Sequence, residues 1–187
     1  QPKDTAYILG QILAIYRFGL RGKFCLESFP RLVEYATQRK YPDEARLMAA
    51  HCLQRFKEIE SKPYFDLLKT ACYEEKNPNV RMCLVTALAR VGNQAALTEL
   101  EELYRRGLDQ RIQVNIVKGL QNFKSGNAFG LALKAIQNPS IHVASLGAQY
   151  FLENGNETHE EALGNILRQG GLSWQVKSIV YDALLRI

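Results

Sequence analysis

Six stretches of this chain share one internal pattern, and a recurring unit limits the fold more tightly than any other feature. Set in register from Tyr7, Ala45, Val80, Ile112, Ile141 and Val176, they lie 38, 35, 32, 29 and 35 residues apart. Seven residues beyond each start the residue is small: Ala14, Cys52, Ala87, Gly119, Ala148 and Ala183. The next position is Ile15, Leu53, Leu88, Leu120 or Leu184, with Gln149 the exception, and three further on stand Phe18, Phe56, Val91, Phe123, Leu152 and Ile187. Positions 0, 7, 8 and 11 share one helical face, so each stretch predicts a helix whose middle lies close to a neighbour. A unit of about 30 to 40 residues signals stacked helical modules.

Between these stretches, 26–38, 64–74, 95–106, 128–137 and 160–169 also read as helices, with apolar residues three and four apart, as in Leu97, Leu100, Leu103 and Tyr104. No alternating strand pattern is sustained. Asn77-Pro78 and Asn138-Pro139 place a capping amide before a proline at the first helical position. Thr158 and Glu161 have capping-box spacing, and glycines 19, 92, 107, 155 and 170 stand where helices should stop. The expectation is a line of hairpins, helix A then helix B, beginning and ending on a B helix.

The chain is 187 residues long and 47% hydrophobic, yet no run approaches the length of a membrane span. No secretory leader pattern opens it. Of the four cysteines, Cys25, Cys52, Cys72 and Cys83, the last three fall in helical patterns, so core thiols are expected over a disulfide framework or a zinc site. His51, His142 and His159 lie in different repeats without carboxylates at metal-ligand spacing, so neither metal nor cofactor is expected. Phosphate loops, nucleophile elbows and zinc-protease signatures are lacking, which argues against a catalytic segment.

The residues Asn77-Pro78-Asn79-Val80-Arg81 and Ala87-Leu88-Ala89-Arg90-Val91-Gly92, with weaker copies at 109–123 and 138–152, resemble the short bacterial form of the HEAT-repeat family. The resemblance implies an all-α fold: a right-handed α-α superhelix of about five to six HEAT-like hairpins, one repeat domain over residues 1–187. It implies a non-catalytic scaffold that binds a protein or peptide on a concave wall of B helices, though such solenoids also include DNA glycosylases and lyase subunits. The family's opening arginine aligns with Arg46, Arg81, Gln113, His142 and Lys177, and its aspartate with Asn77, Asp109 and Asn138; a ladder between them is expected to be structural.

Ten residues from the starts stand Arg17, Arg55, Arg90, Asn122, Phe151 and Arg186, and six from the starts Leu13, His51, Thr86, Lys118, Gly147 and Asp182. Stacked B helices would align these into ridges. The binding candidates are therefore Arg17, Arg55, Arg90, Lys118 and Arg186 with His51 and Tyr16. Tyr16 and Tyr150 are read as exposed, and tyrosine favours interfaces. The alternative is that these arginines simply satisfy helix C-terminal carbonyls. A net charge of +5 arises from 24 basic against 19 acidic residues scattered along the chain, without the stripe expected of a nucleic-acid binder. The lone tryptophan, Trp174, is expected to pack at the last hairpin turn.

Residues 16–22 and 109–115 are further similar to HEAT regions of bacterial proteins that join such repeats to a cyclophilin-type peptidyl-prolyl isomerase. That likeness implies a cell-envelope or periplasmic setting, with no catalytic residue of the isomerase in this segment. Neither end reads as a polar cap, so the chain is expected to be a piece of a longer protein; partner identity and oligomeric state stay open.

Overall fold

The computed structural model describes residues 4–23, 25–55, 62–107, 109–123 and 126–187, and these contain helices and no strand. The chain divides into two compact units, Gln1–Gly92 and Asn93–Ile187. Both are built from A and B helices in alternation, as the periodicity requires.

The first unit holds α1 (Thr5–Leu20), α2 (Phe29–Thr37), α3 (Asp43–Arg55), α4 (Phe65–Glu74) and α5 (Pro78–Ala89), with 3-10 turns at Leu26–Ser28 and Lys62–Tyr64 leading into α2 and α4. The B helix α3 packs against its A helix α2 and, on either side, against the B helices α1 and α5. Asn77 caps α5 through its carboxamide oxygen, which accepts from Asn79 N at 3.0 Å, with Pro78 in the first turn. The cap satisfies an amide that has no partner within the helix, and the proline lacks the N–H that would be orphaned there.

The second unit holds α6 (Gln94–Arg105), α7 (Gln110–Gly119), α8 (Gly126–Ile136), α9 (Ile141–Asn154), α10 (Glu160–Gln169) and α11 (Trp174–Arg186). Here α9 is central: it packs on its A helix α8 and between the B helices α7 and α11. Gly92 and Gly170 follow helix ends with φ of 67° and 78°, a backbone region that glycine enters without steric cost.

The repeat register holds in α3, α5, α7 and α11, where Ala45, Val80, Ile112 and Val176 are all buried. It slips by one residue in the other two B helices. In α1 the buried pair is Ile8 and Ile12, while Tyr7 is 54% exposed and Ala14 lies in solvent. In α9 the buried set is Val143, Ala144, Gly147, Ala148, Tyr150 and Phe151, and Ile141 is exposed. Counting from Ser140 makes Gly147 the small residue of α9 and puts Phe151 at position eleven, whereas counting from Ile8 places Ile15 rather than a small residue at position seven of α1. A Cβ there would lie 2.8 Å from Ala132 O and Ile136 N and 2.9 Å from the Ala135 Cβ, so α8 and α9 meet where a side chain is missing. Phe56 of the aligned pattern lies outside the described residues.

Several local expectations are corrected. Tyr150 is fully buried, its hydroxyl donating to Phe123 O at 2.8 Å, because the slip turns it inward. Trp174 is 75% exposed: as the first residue of α11 it precedes the buried face that begins at Val176. Asn138 caps a turn before the helix, accepting from Ser140 N at 2.9 Å, so α9 starts two residues after Pro139. The capping box before α10 is formed by Asn156 and His159 rather than Thr158 and Glu161, with His159 Nδ1 accepting from Asn156 N at 3.2 Å. Gly19 lies within α1, and Gly22, at φ 71°, follows its end instead.

Candidate protein-binding face

Where the resemblance aligns an arginine ladder, the side chains build an ionic cluster around a buried Arg46–Glu75 pair. Arg46 of α3 pairs with Glu75, in the connection between α4 and α5, and with Asp43 at the start of its own helix. Asn77 donates from Nδ2 to Asp43 Oδ2 at 2.7 Å, and its backbone N–H donates to Glu75 Oε1 at 2.7 Å. The asparagine at the family's aspartate position thus leans back onto the preceding repeat. In the second unit one rung takes the expected direction, Asn138 Nδ2 donating to Gln113 Oε1 at 3.4 Å and to Tyr104 OH at 2.9 Å. Arg81 instead donates to Tyr73 O at 3.1 Å. These residues lock hairpins together and leave the binding candidates to the C-terminal halves of the B helices.

Tyr16 and His51 meet there. Their ring centroids are 5.9 Å apart, bringing the last turns of α1 and α3 together. Burial pushes the His51 imidazole below its usual range, and the Arg55 guanidinium, one turn further along α3, adds to the shift. Arg17 is exposed beside Tyr16, and Arg55 is exposed at the end of α3. Tyr16, Arg17, His51 and Arg55 therefore occupy the adjoining ends of two packed helices. Arg90 caps α5 and is half-buried, on the other side of α3 from α1. Lys118 and Arg186 are exposed in the second unit, on α7 and α11, with α9 between those two helices.

The second unit also contains a feature that the aligned columns missed. Asp109, Gln110, Arg111 and Val114 on the α7 side and His142, Ser145 and Leu146 of α9 line an open groove of about 840 Å³. Arg111 and Asp109 form an ion pair at 2.9 Å along its edge, which holds the aspartate carboxyl down at about 2. The one-residue slip of α9 hid this groove: with the count begun at Ser140, His142 aligns with Val114, both two residues past the start.

Among the described residues, no group of three or more His, Cys, Asp or Glu side chains is placed to hold a metal ion. No helix among them is long and apolar enough to cross a membrane. Cys52, Cys72 and Cys83 are buried free thiols, and Cys25 is an exposed one.

No curated protein matches the chain. A family model described as HEAT repeats matches residues 29–121, from the first residue of α2 into the 3-10 turn that follows α7. The span takes in the hairpins α2–α3, α4–α5 and α6–α7, whose A-then-B order the remaining helices continue. Over residues 29–121 the chain is thus similar to HEAT repeats.

Proposed function

We propose that the chain is a non-catalytic scaffold that receives a protein or peptide on the exposed face of its B helices. HEAT repeats commonly serve as interaction scaffolds. The observation that carries the reading is the cluster at the ends of α1 and α3, where Tyr16 and His51 touch and Arg17 and Arg55 stand in solvent. Tyrosine and arginine are the residue types that dominate binding hot spots, because each combines a broad contact area with directed polar groups. The likeness of residues 16–22 and 109–115 to isomerase-linked repeats extends the reading. In that setting the scaffold would hold a polypeptide for a separate catalytic domain.

The test is an unbiased peptide-display selection on the immobilised protein, followed by photo-cross-linking of the selected peptides. The cross-linker is placed at Ala14 on α1 or at Thr70 or Thr98 on the A helices α4 and α6, all exposed positions. Labelling at Ala14 in preference to Thr70 and Thr98 is the expected result. Labelling confined to the A helices, or a selection that returns no binder, would overturn the reading.

A further inference from the structure

The arginines of this chain fall into two groups. Most are engaged: Arg31 with Glu34, Arg46 with Asp43 and Glu75, Arg105 and Arg106 with Glu102, and Arg111 with Asp109. Arg39, Arg81 and Arg168 donate to Glu74 O, Tyr73 O and Asn165 Oδ1. Among the described residues, Arg17, Arg21, Arg55 and Arg186 make no ion pair and no side-chain hydrogen bond; Arg186 ends α11 in the second unit, and the other three lie together at the ends of α1 and α3. Helix-end capping would require these guanidinium groups to donate to the last carbonyls of their helices. None of the three does so.

Among the described residues no carboxylate pairs with that charge. No aspartate or glutamate occurs between Thr5 and Arg21 or between Ala45 and Arg55. Glu27 opens the turn that leads into α2, and its carboxylate accepts from Cys25 Sγ at 3.2 Å. Arg17 and Arg21 are one helical turn apart on α1, and His51 and Arg55 are one turn apart on α3, so each pair shares a helix face. The Tyr16–His51 contact joins the two faces. Phe18 and Leu20 lie among these cations, 54% and 63% exposed, so the charge borders apolar surface open to solvent.

We propose that the adjoining C-terminal ends of α1 and α3 form a docking ridge for an acidic peptide segment, Arg17, Arg21 and Arg55 receiving its carboxylates while Phe18, one turn from Arg21 on α1, seats an apolar side chain. This rests on the scaffold reading above and names the chemistry of its partner. Guanidinium groups suit the task because their planar forks take carboxylates in bidentate geometry. A ridge of one sign also steers an oppositely charged segment during encounter and rejects a basic one.

The experiment measures fluorescence anisotropy of a labelled synthetic peptide rich in glutamate with one central phenylalanine. A lysine-rich counterpart and a single-stranded oligothymidine serve as comparison probes. The native protein should bind the acidic peptide, less tightly as salt is raised, and leave the lysine peptide free. Arg17→Glu with Arg55→Glu should weaken that binding by about tenfold or more, while Arg17→Lys with Arg55→Lys retains most of it. Circular dichroism melts would confirm that both variants fold. Absence of acidic-peptide binding, or binding indifferent to charge reversal, would overturn the proposal. So would tighter capture of the oligothymidine that is lost in the reversed variant, since the ridge would then be a polyanion site. If the display selection returns B-face binders that are not acidic, the scaffold reading stands and this one falls.

Discussion

Arg46 and Glu75 are the buried charged residues among those described in the first unit, and they are buried against each other. Each comes from a different hairpin, so their pairing ties α3 to the connection between α4 and α5. Two charges withdrawn from water are tolerable only together: removing one leaves the other stranded in a medium that solvates it poorly. Glu75→Ala or Arg46→Ala should each cost about 3 to 5 kcal/mol in a urea titration. Arg46→Met with Glu75→Leu should recover most of that loss. A double variant as unstable as the singles would mean that the hydrogen bonds to Asp43 and Asn77, rather than the paired charges, hold this junction.

The slipped register yields a comparison between two small residues of the same aligned column. Ala87 is buried and Ala14 is exposed. Ala87→Leu must force extra volume between packed helices and should destabilise by about 1 to 3 kcal/mol, whereas Ala14→Leu should change stability by less than about 0.5 kcal/mol. Gly147→Ala should resemble the first, because its Cβ would press on α8 backbone. Denaturant titrations of the three variants decide the matter, and a large loss at Ala14 would remove the corrected register.

Much of the architecture is legible in the sequence because helix periodicity and helix punctuation are local. The five A helices begin and end within a few residues of where spacing puts them, and Asn77-Pro78 caps α5 as expected. The faces of α1 and α9 are less legible, since a helix in which apolar residues also sit next to the buried stripe can be counted from either. Ile141 and Tyr7 match the pattern by residue type, yet packing against neighbouring helices decides which residues turn inward. The same slip conceals the groove beside Val114 and Leu146 and makes Tyr150 look exposed. At the candidate face, the residues Arg17, His51 and Arg55 are legible from columns. The Tyr16–His51 contact, and the lack of acidic partners among the described residues, depend on how separate hairpins meet.

Glu34 links stability to acid. Its carboxylate accepts from the Tyr41 hydroxyl at 2.6 Å, from Arg31 at 2.8 Å and from Lys40 at 3.1 Å. These donors hold its pKa down, from 4.5 to about 2, the tyrosine bond contributing most. A folded pKa below the unfolded one means that the unfolded chain binds the proton first. The contribution is therefore complete above about pH 4.5 and is lost as pH falls towards 2. Glu34→Gln should lower the melting temperature at neutral pH and flatten its decline between those values. Parallel curves for the two proteins would show that Glu34 is not responsible.

The four thiols should separate by reactivity. Burial pushes the Cys52 thiol up to about 12 and Cys83 to about 11, and raises Cys72 further. The thiolate is the nucleophile, so these three should be inert to iodoacetamide near pH 8 until the chain is unfolded. Cys25 is exposed and should be alkylated first. Peptide mapping after brief labelling checks the order, and early modification of Cys72 would mean that the first unit opens locally.

Trp174 makes the second unit's last helix observable. It is the only tryptophan, and with Tyr181 and Leu185 it forms an exposed apolar row at positions seven and four residues apart on α11. An indole in solvent emits much as it does in an unfolded chain. Intrinsic tryptophan fluorescence should therefore change little when the protein is denatured, even though circular dichroism reports full loss of helix. Acrylamide should quench the native protein almost as efficiently as the denatured one. Emission shifted to shorter wavelength and protected from quenching, more so as protein concentration rises, would show instead that the α11 row is covered by another copy of the chain. Trp174→Gln would then lower the apparent mass in light scattering, whereas a monomer with a solvated indole should give the same mass with or without it.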